Sequence, residues 1–274
     1  MKNKSLGARF AAAPYYLWSA IFIVVPLIMV LYYTFTDASG AFTFENILSL
    51  GKYTKTFAVS MLYAFIATVI SLFIAYPISY FMTKTKPGTQ RILMMLIMLP
   101  MWTNFLIRTY SWITILANKG IINSFLSALG LPNVQLIDTS GAVIMGMIYN
   151  FLPYMILPIY TAMAKIDNSL LEAAADLGSN SLSRIRRVIL PLSLPGVISG
   201  ITMVFVPSVS TFYISQKLGG GKLLLIGDVI EMKFMSSYNY NLGAALSFVM
   251  MIIIFLSLAV MNRFSDDEDV GMII

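Results

Sequence analysis

Apolar residues run along this chain in long blocks. They show neither the two-residue alternation of strands nor the one-sided stripe of a soluble helix. A bilayer core is crossed by about 20 apolar residues of helix. Six blocks reach that length: about Pro14 to Phe35, Phe57 to Met82, Ile92 to Leu116, Ser140 to Ala164, Val188 to Ser215 and Asn241 to Asn262. The pattern predicts an all-α polytopic membrane protein with six transmembrane helices, organised as one transmembrane domain over residues 1–274. The first block follows Lys2, Lys4 and Arg9, as in a secretion signal. Its apolar run is too long for a signal core, and the small residues Ala11, Ala12 and Ala13 precede it. An uncleaved anchor is expected.

Composition agrees. The chain is 58% hydrophobic and 11% charged, with a mean hydropathy of +0.82. A soluble domain of this size has no place for so much apolar surface. The net charge of +6 raises the question of nucleic acid, and the placement of the charges answers it. With the N-terminus inside, the inner segments hold eleven of the 18 Lys and Arg residues, among them Lys84, Lys86, Arg91, Lys165, Arg184, Arg186, Arg187 and Arg263. The outer segments hold six: Lys52, Lys55, Lys119, Lys217, Lys222 and Lys233. Basic residues collect on the cytoplasmic side of membrane proteins, so both termini are expected in the cytoplasm. No basic patch is interleaved with exposed aromatics, and a nucleic-acid partner is set aside.

Prolines interrupt the apolar blocks, among them Pro26, Pro77, Pro100, Pro153, Pro158, Pro195 and Pro207. Each removes a backbone donor and kinks its helix. One such proline is a tolerated kink; so many together favour a bundle that surrounds a path or changes shape. Chemistry is conspicuously sparse. There is no cysteine and no histidine, hence no disulfide, thiol chemistry or imidazole ligand, and no metal site is expected. Every Asp and Glu is expected in a loop or tail, so no carboxylate is expected at membrane depth to couple a proton or sodium ion. Arg108 snorkels to the outer surface if the third block ends near Ile107, or faces the bundle interior if it continues to Leu116. "GGGKLL" at 219–224 imitates a phosphate loop, but Gln216 and Leu223 stand where that loop needs glycine and Ser or Thr. A turn is expected there. The chain is expected to be no enzyme: it shows neither an ion-coupling site nor a nucleotide site, so uphill transport would draw its energy from elsewhere.

The largest inner loop, residues 165–187, is charged and alanine-rich. "SLLE", Ser169 to Glu172, has the form of a capping box, and Gly178 is placed to close a helix in the left-handed conformation. These signals predict one short helix over about Leu170 to Leu177. Eight residues do not hold a helix alone in water, so packing must hold it. Ala173, Ala174 and Ala175 allow close approach, Glu172 and Asp176 share one side, and Leu170, Leu171 and Leu177 offer knobs. The result is a rigid peg, lying either against its own bundle or in a partner.

The run Glu172 to Pro191 resembles the EAA loop of bacterial ATP-binding-cassette importer permeases. The family pattern is Glu-Ala-Ala, three residues, Gly, nine residues, Ile, one residue, Leu-Pro. Glu172, Ala173, Ala174, Gly178, Leu190 and Pro191 fall in register, with Val188 in place of Ile. "MLPMWTNFLIRTYSW" (98–112), "NFLPYMILPIYTAM" (150–163) and "FYISQKLGGGKLLLIGDVIEMKF" (212–234) resemble the spermidine/putrescine type of these permeases, specifically the first of its two non-identical permeases. The resemblance implies a MetI-like importer-permease bundle in a bacterial cytoplasmic membrane. It also implies an ATPase-coupling role for Glu172, Ala173, Ala174, Asp176, Leu177 and Gly178. The implied partners are a second homologous permease, a cytoplasmic ATPase homodimer that holds ATP-Mg, and an extracytoplasmic polyamine-binding protein, with no cofactor on this chain. Cations are held by carboxylates or aromatic faces. The blocks lack acids, so the candidate translocation path is aromatic and polar: Trp102, Asn104, Tyr149, Phe212 and Tyr213. The outer acids Asp228 and Glu231 draw cations, meet the binding protein or are ordinary solvated charges. The acidic "SDDED" at 265–269 is expected as a solvated end.

Overall fold

The computed structural model describes residues 14–271. The early cations Lys2, Lys4 and Arg9 lie outside the described residues. The principal helices of the described residues are α1 (Pro14–Thr34), α2 (Thr54–Thr83), α3 (Pro87–Trp102), α4 (Phe105–Leu116), α5 (Ile121–Ala128), α6 (Ser140–Ala164), α7 (Asn168–Asp176), α8 (Ser181–Ser210), α9 (Tyr213–Leu218), α10 (Ile226–Met235) and α11 (Tyr240–Gly271), with short helical turns Glu45–Leu48 and Ser49–Tyr53 leading into α2. Among the described residues, the β pairing is a single isolated bridge, Thr36 to Phe42. Among the described residues, five helices are long and apolar enough to cross a membrane, or six if the bent pair counts as one span.

That bent pair is the expected third span, and it corrects the sequence reading. Instead of one helix over Ile92 to Leu116, α3 ends at Trp102 and the next helical segment leaves at 92°. Thr103 is extended, and Asn104 restarts the helix by accepting the Leu106 N–H on its side chain at 2.8 Å. Pro100 weakens the last turn of α3 and Asn104 is a strong N-cap, so the break is local in origin. α3 has 16 residues, about 24 Å at 1.5 Å per residue, short of a core of about 30 Å. The fifth block also shifts. Helix begins at Ser181, where Asn180 caps Ser183 N–H at 2.8 Å, and it stops at Ser210 instead of continuing to Ser215. The sixth runs past Asn262 to Gly271, so the "SDDED" backbone is helical.

Among the described residues two wider π turns occur, and each directly precedes a proline. In α1 Val25 N–H reaches Ala20 O just before Pro26; in α8 Leu190 N–H reaches Ile185 O just before Pro191. A proline ring crowds the carbonyl four residues back, and a wide turn relieves that crowding while keeping the amides bonded.

The chain forms two compact units. One comprises the described residues up to Thr54 together with Val229–Ile253. In it, asparagines satisfy the carbonyls left at the end of α1. Asn241 Nδ2 donates to Thr36 O at 2.6 Å, and Asn46 Nδ2 donates to Thr36 O at 2.9 Å. The Phe35 ring meets Phe42, Phe44 and Phe248.

The other unit comprises Lys55–Asp228 and the remainder of α11. α2 buries a stripe of small residues at helical spacing: Ser60, Ala64, Ala67, Thr68, Ser71, Ala75 and Ser79. Its large rings point outward, Phe73 being 76% exposed and Phe81 71%. Small residues inside and bulky apolar residues outside is the arrangement expected where lipid is the solvent, since helices there associate by close packing. Two of the buried hydroxyls bond back to their own helix, Ser60 Oγ to Thr56 O at 2.8 Å and Thr68 Oγ1 to Ala64 O at 2.7 Å, whereas Ser79 Oγ donates across to Ile156 O of α6 at 3.2 Å. α6 and α8 pair extensively. At Gly196 an added Cβ would lie 2.6 Å from both Ala162 Cβ and Pro158 O, so only glycine permits the approach. One core centres on Met155, Ile159, Met163 and Ile189, and a second on Val143, Met147, Ile214 and Leu218.

Candidate functional site

α6 closes on Lys165 as its C-cap, and two residues later Asp167 opens α7. The N-cap is Asp167, not Ser169: the Asp167 carboxylate accepts the Ser169 N–H at 2.9 Å, which places Ser169 inside the first turn. That bond, with a further one from the Ser169 side chain, holds the Asp167 carboxyl below its ordinary range. The starting aspartate competes better than the serine two residues on because it also brings negative charge to the helix's positive end. Glu172 accordingly lies in the second turn, without the cap role the box implied.

The other end follows the sequence expectation. Gly178 has φ +79°, Gly178 N–H donates to Ala175 O at 2.8 Å, and Ser179 N–H donates to Ala174 O at 3.1 Å. This is the Schellman pattern. Nothing lies within 4 Å of a Cβ added at Gly178, so the glycine is needed for its backbone angle alone. Leu171 packs on the Met163–Ile189 core and anchors the helix. Glu172, Ala173, Ala175, Asp176 and Gly178 are exposed, Ala174 is half-buried, and Leu177 is 89% exposed at the tip. α7 is thus a short, doubly capped peg with one leucine driven into its own bundle and another presented outward.

Beneath α7, side chains of the α2–α3 elbow share a cavity with it. A cavity of about 170 Å³ lies between Tyr80, Thr83, Lys84 and Gln90 on one side and Asn168 and Leu171 on the other. Gln90 Nε2 donates to Thr85 O at 2.9 Å, and Tyr160 O–H of α6 donates to Gln90 Oε1 at 2.9 Å. One amide therefore ties the start of α3 to α6, the helix from which α7 leaves.

The candidate path residues do not form one cluster. Trp102 ends α3, is 81% exposed and makes no aromatic pair among the described residues. Asn104 caps α4. Tyr149 of α6 meets Trp112 edge-to-face, ring centroids 5.2 Å apart. Phe212, 43% exposed, precedes α9, and Tyr213 begins it. The structure does bring Tyr213 to α4, 5.9 Å from the Phe105 ring and 6.3 Å from the Tyr110 ring. Sequence reasoning misses the member that completes this group. Lys217 Nζ lies 5.6 Å from the Tyr110 ring centroid and 5.7 Å from that of Tyr213. The four-residue spacing of Tyr213 and Lys217 was legible; the arrival of Tyr110 from another helix was not.

Arg108 takes the protein-facing alternative. It is half-buried, its Cζ is 6.0 Å from the Phe105 ring, and its Nε and Nη1 are shielded without a hydrogen-bond partner. Asp228 corrects another expectation. It is fully buried inside a helix and not a solvated loop charge: Oδ2 accepts the Leu225 N–H at 2.7 Å, three residues back, as the returning half of a capping box. Beside it, Ile226 N–H donates to Ser60 Oγ of α2 at 2.8 Å. Gly219, Gly220 and Gly221 form a turn, the last two with positive φ, and Gly220 abuts the Asp138 carboxylate too closely for any Cβ. Among the described residues, no cluster of acids could hold a metal ion.

Membrane-length helices, a small-residue interior and an exposed peg on a loop define a multi-pass membrane protein. The chain belongs to the family described as binding-protein-dependent transport system inner membrane component, whose sequence model matches residues 67–267. It is 38% identical to the spermidine/putrescine transport system permease protein PotB of Haemophilus influenzae over 93% of each chain. It is 36% identical to the protein of that name in Escherichia coli K12, over 90% of this chain and 94% of the relative. Among solved structures it superposes on a bacterial ABC transporter that imports the acidic polysaccharide alginate, with TM-score 0.75, 17% identity and 93% coverage of both chains. It also superposes on the inward-facing MetNI methionine ABC transporter, with TM-score 0.58 and 17% identity over 78% of this chain and 94% of that one. These two likenesses show the importer-permease fold.

Proposed function

We propose that this chain is one permease subunit of an ATP-driven polyamine importer, forming half of the translocation path and taking its energy from a separate ATPase through α7. The observation that carries the coupling role is α7 itself. A nine-residue helix is fixed at both ends and rooted by Leu171, yet it exposes Glu172, Ala173, Asp176, Leu177 and Gly178. Eight or nine helical residues gain too little alone to stay folded, and a solvated loop would have no use for such rigidity. A groove on a cytoplasmic ATPase subunit would receive the alanine face, with Glu172 and Asp176 toward basic groups at its rim. The Tyr160–Gln90 bond then carries displacement of α6, at the root of the peg, to the α2–α3 elbow. The partners in this reading are an ATPase homodimer holding ATP-Mg, a second homologous permease and an extracytoplasmic binding protein. This chain holds no cofactor and hydrolyses no nucleotide.

The polyamine cargo rests on the identity to spermidine/putrescine permeases and on aromatic faces suited to a flexible cation. Faces without carboxylates hold a cation weakly, as a conduit requires. The deciding experiment reconstitutes the co-purified complex in vesicles and compares ATP-dependent uptake of spermidine, putrescine and an unrelated neutral solute. Uptake of either polyamine, and not of the neutral solute, is expected. Uphill accumulation by this chain without its ATPase would overturn the reading.

A further inference from the structure

Lys217 sits where a cargo ammonium would sit. Its Nζ lies 5.6 and 5.7 Å from the centroids of the Tyr110 and Tyr213 rings, inside the roughly 6 Å range of cation–π attraction. The rings themselves meet edge-to-face, 6.3 Å apart at 79°, so they form two walls of one corner. The i, i+4 spacing on α9 accounts for the Tyr213 contact alone. Tyr110 belongs to α4, and the corner exists only because α4 and α9 pack together. Tyr110 remains 51% exposed and Lys217 is half-buried, so the corner is reachable from outside the bundle. Its position also fits. α8 has 30 residues, about 45 Å at 1.5 Å per residue, so its two ends lie on opposite sides of a core of about 30 Å. α7 adjoins the first end and the corner adjoins the last.

We propose that Lys217 is a tethered occupant of an alkylammonium site formed by Tyr110 and Tyr213, and that a cargo ammonium passes this point by displacing it. The proposal rests on the polyamine reading for the identity of the cargo, though not for the existence of the site. Exchange of one ammonium for another is close to balanced, so the site recognises a primary ammonium without trapping it. A neutral or anionic solute has nothing to offer in exchange. The tether thereby selects for charge and keeps release fast.

Removing the tethered charge turns the point of exchange into a binding site. In the reconstituted complex, Lys217→Met is expected to lower the KM for spermidine roughly fivefold, the ratio for about 1 kcal/mol of recovered cation–π attraction, and to lower kcat as release slows. Lys217→Arg keeps a cation and is expected to retain both parental values more closely. A parental KM in Lys217→Met, in a complex whose parent transports spermidine, overturns the tether and leaves the polyamine reading standing. A parent that transports no polyamine overturns that reading, and the tether is then decided without cargo. Acetylation of Lys217 by an amine-reactive ester, followed by peptide mass spectrometry against the exposed Lys222 of the same chain, should accelerate severalfold when n-butylammonium is added to the intact complex. Tyr110→Leu should give the same acceleration. Labelling of Lys217 indifferent to n-butylammonium overturns the proposal even if the Tyr110 variant does not fold.

Discussion

The α7 peg and the α4–α9 corner are built by opposite means. α7 is assembled from neighbours in sequence: Asp167 starts it, Gly178 stops it, and nearly every bond that shapes it spans five residues or fewer. The corner is assembled from strangers, since Tyr110 and Tyr213 meet only because a span is broken at Asn104 and α8 stops at Ser210. The peg faces out and is rigid by capping. The corner is held by packing, and its rings stay partly accessible. In a transporter the first is the part that is pushed and the second a part the cargo touches, so their failures should differ in kind.

The largest expected effect lies at the peg. Glu172→Lys reverses charge on its exposed side, and Gly178→Val forces a β-branched residue to φ +79°, where L residues are strained by about 1–2 kcal/mol or more. Either should abolish ATP-dependent uptake while the chain remains in the membrane, with loss of the co-purified ATPase as the direct readout. Full uptake in either variant would remove α7 from the coupling role. Gly178→Ala, which meets no neighbouring atom, should fall between the parent and the valine variant.

Next in size is the packing that joins the two regions. Gly196→Leu puts a side chain where Ala162 Cβ and Pro158 O stand 2.6 Å from the first added carbon. Overpacking of this kind costs about 1–3 kcal/mol, so the melting temperature in detergent should fall and both uptake and ATPase association should drop together. A variant that lost uptake while keeping its Tm and its ATPase would mean that α6 and α8 move apart in the cycle.

At the far end the effects are smaller and confined to flux. Trp102→Ala and Tyr213→Ala should each reduce uptake without weakening ATPase association, Tyr213→Ala more because it dismantles the corner. Unchanged flux in both would take them out of the path. Asn104→Ala removes one N-cap bond, about 1 kcal/mol, and should loosen the start of α4 first. Faster amide exchange at Leu106, with the rest of α4 unaffected, would place the break under local control.

What was legible follows the same division. Block length and composition gave the membrane class, and Ser140–Ala164 is helical over the expected residues. Gly178 announced its turn because a left-handed residue after an alanine-rich helix has few alternatives. Asp167 was passed over in favour of Ser169, although both types cap well; the choice depends on which amide the side chain can reach, a matter of one residue's backbone angles. The third span looked continuous because hydrophobicity does not register a 92° bend, and only the "P-x-x-x-N" of Pro100 and Asn104 hinted at it. Asp228 looked solvated because no sequence signal distinguishes a surface loop from a helix start closed under α2. The Tyr110–Tyr213 corner left no trace at all, since nothing within either segment encodes its distance to the other.

Asp167 provides the mildest test of the peg and the one most specific to it. Its carboxyl lies below the ordinary range because the Ser169 amide bonds the charged form. A carboxylate whose folded pKa is below its unfolded value stabilises the fold above the unfolded pKa, near 3.8, and that support is lost as pH falls through the folded value. At neutral pH the cap is therefore complete and insensitive to pH. Asp167→Asn keeps an acceptor and loses the charge, whereas Asp167→Ala loses both. Amide exchange in the first turn of α7, measured at neutral pH, should quicken in the order parent, Asn, Ala, with uptake falling only slightly. Acidification of the parent toward pH 3 should move it toward the Asn variant. Equal exchange in all three would mean that Leu171 and the core beneath it hold the peg, and that the sequence-local half of the comparison reduces to Gly178 alone.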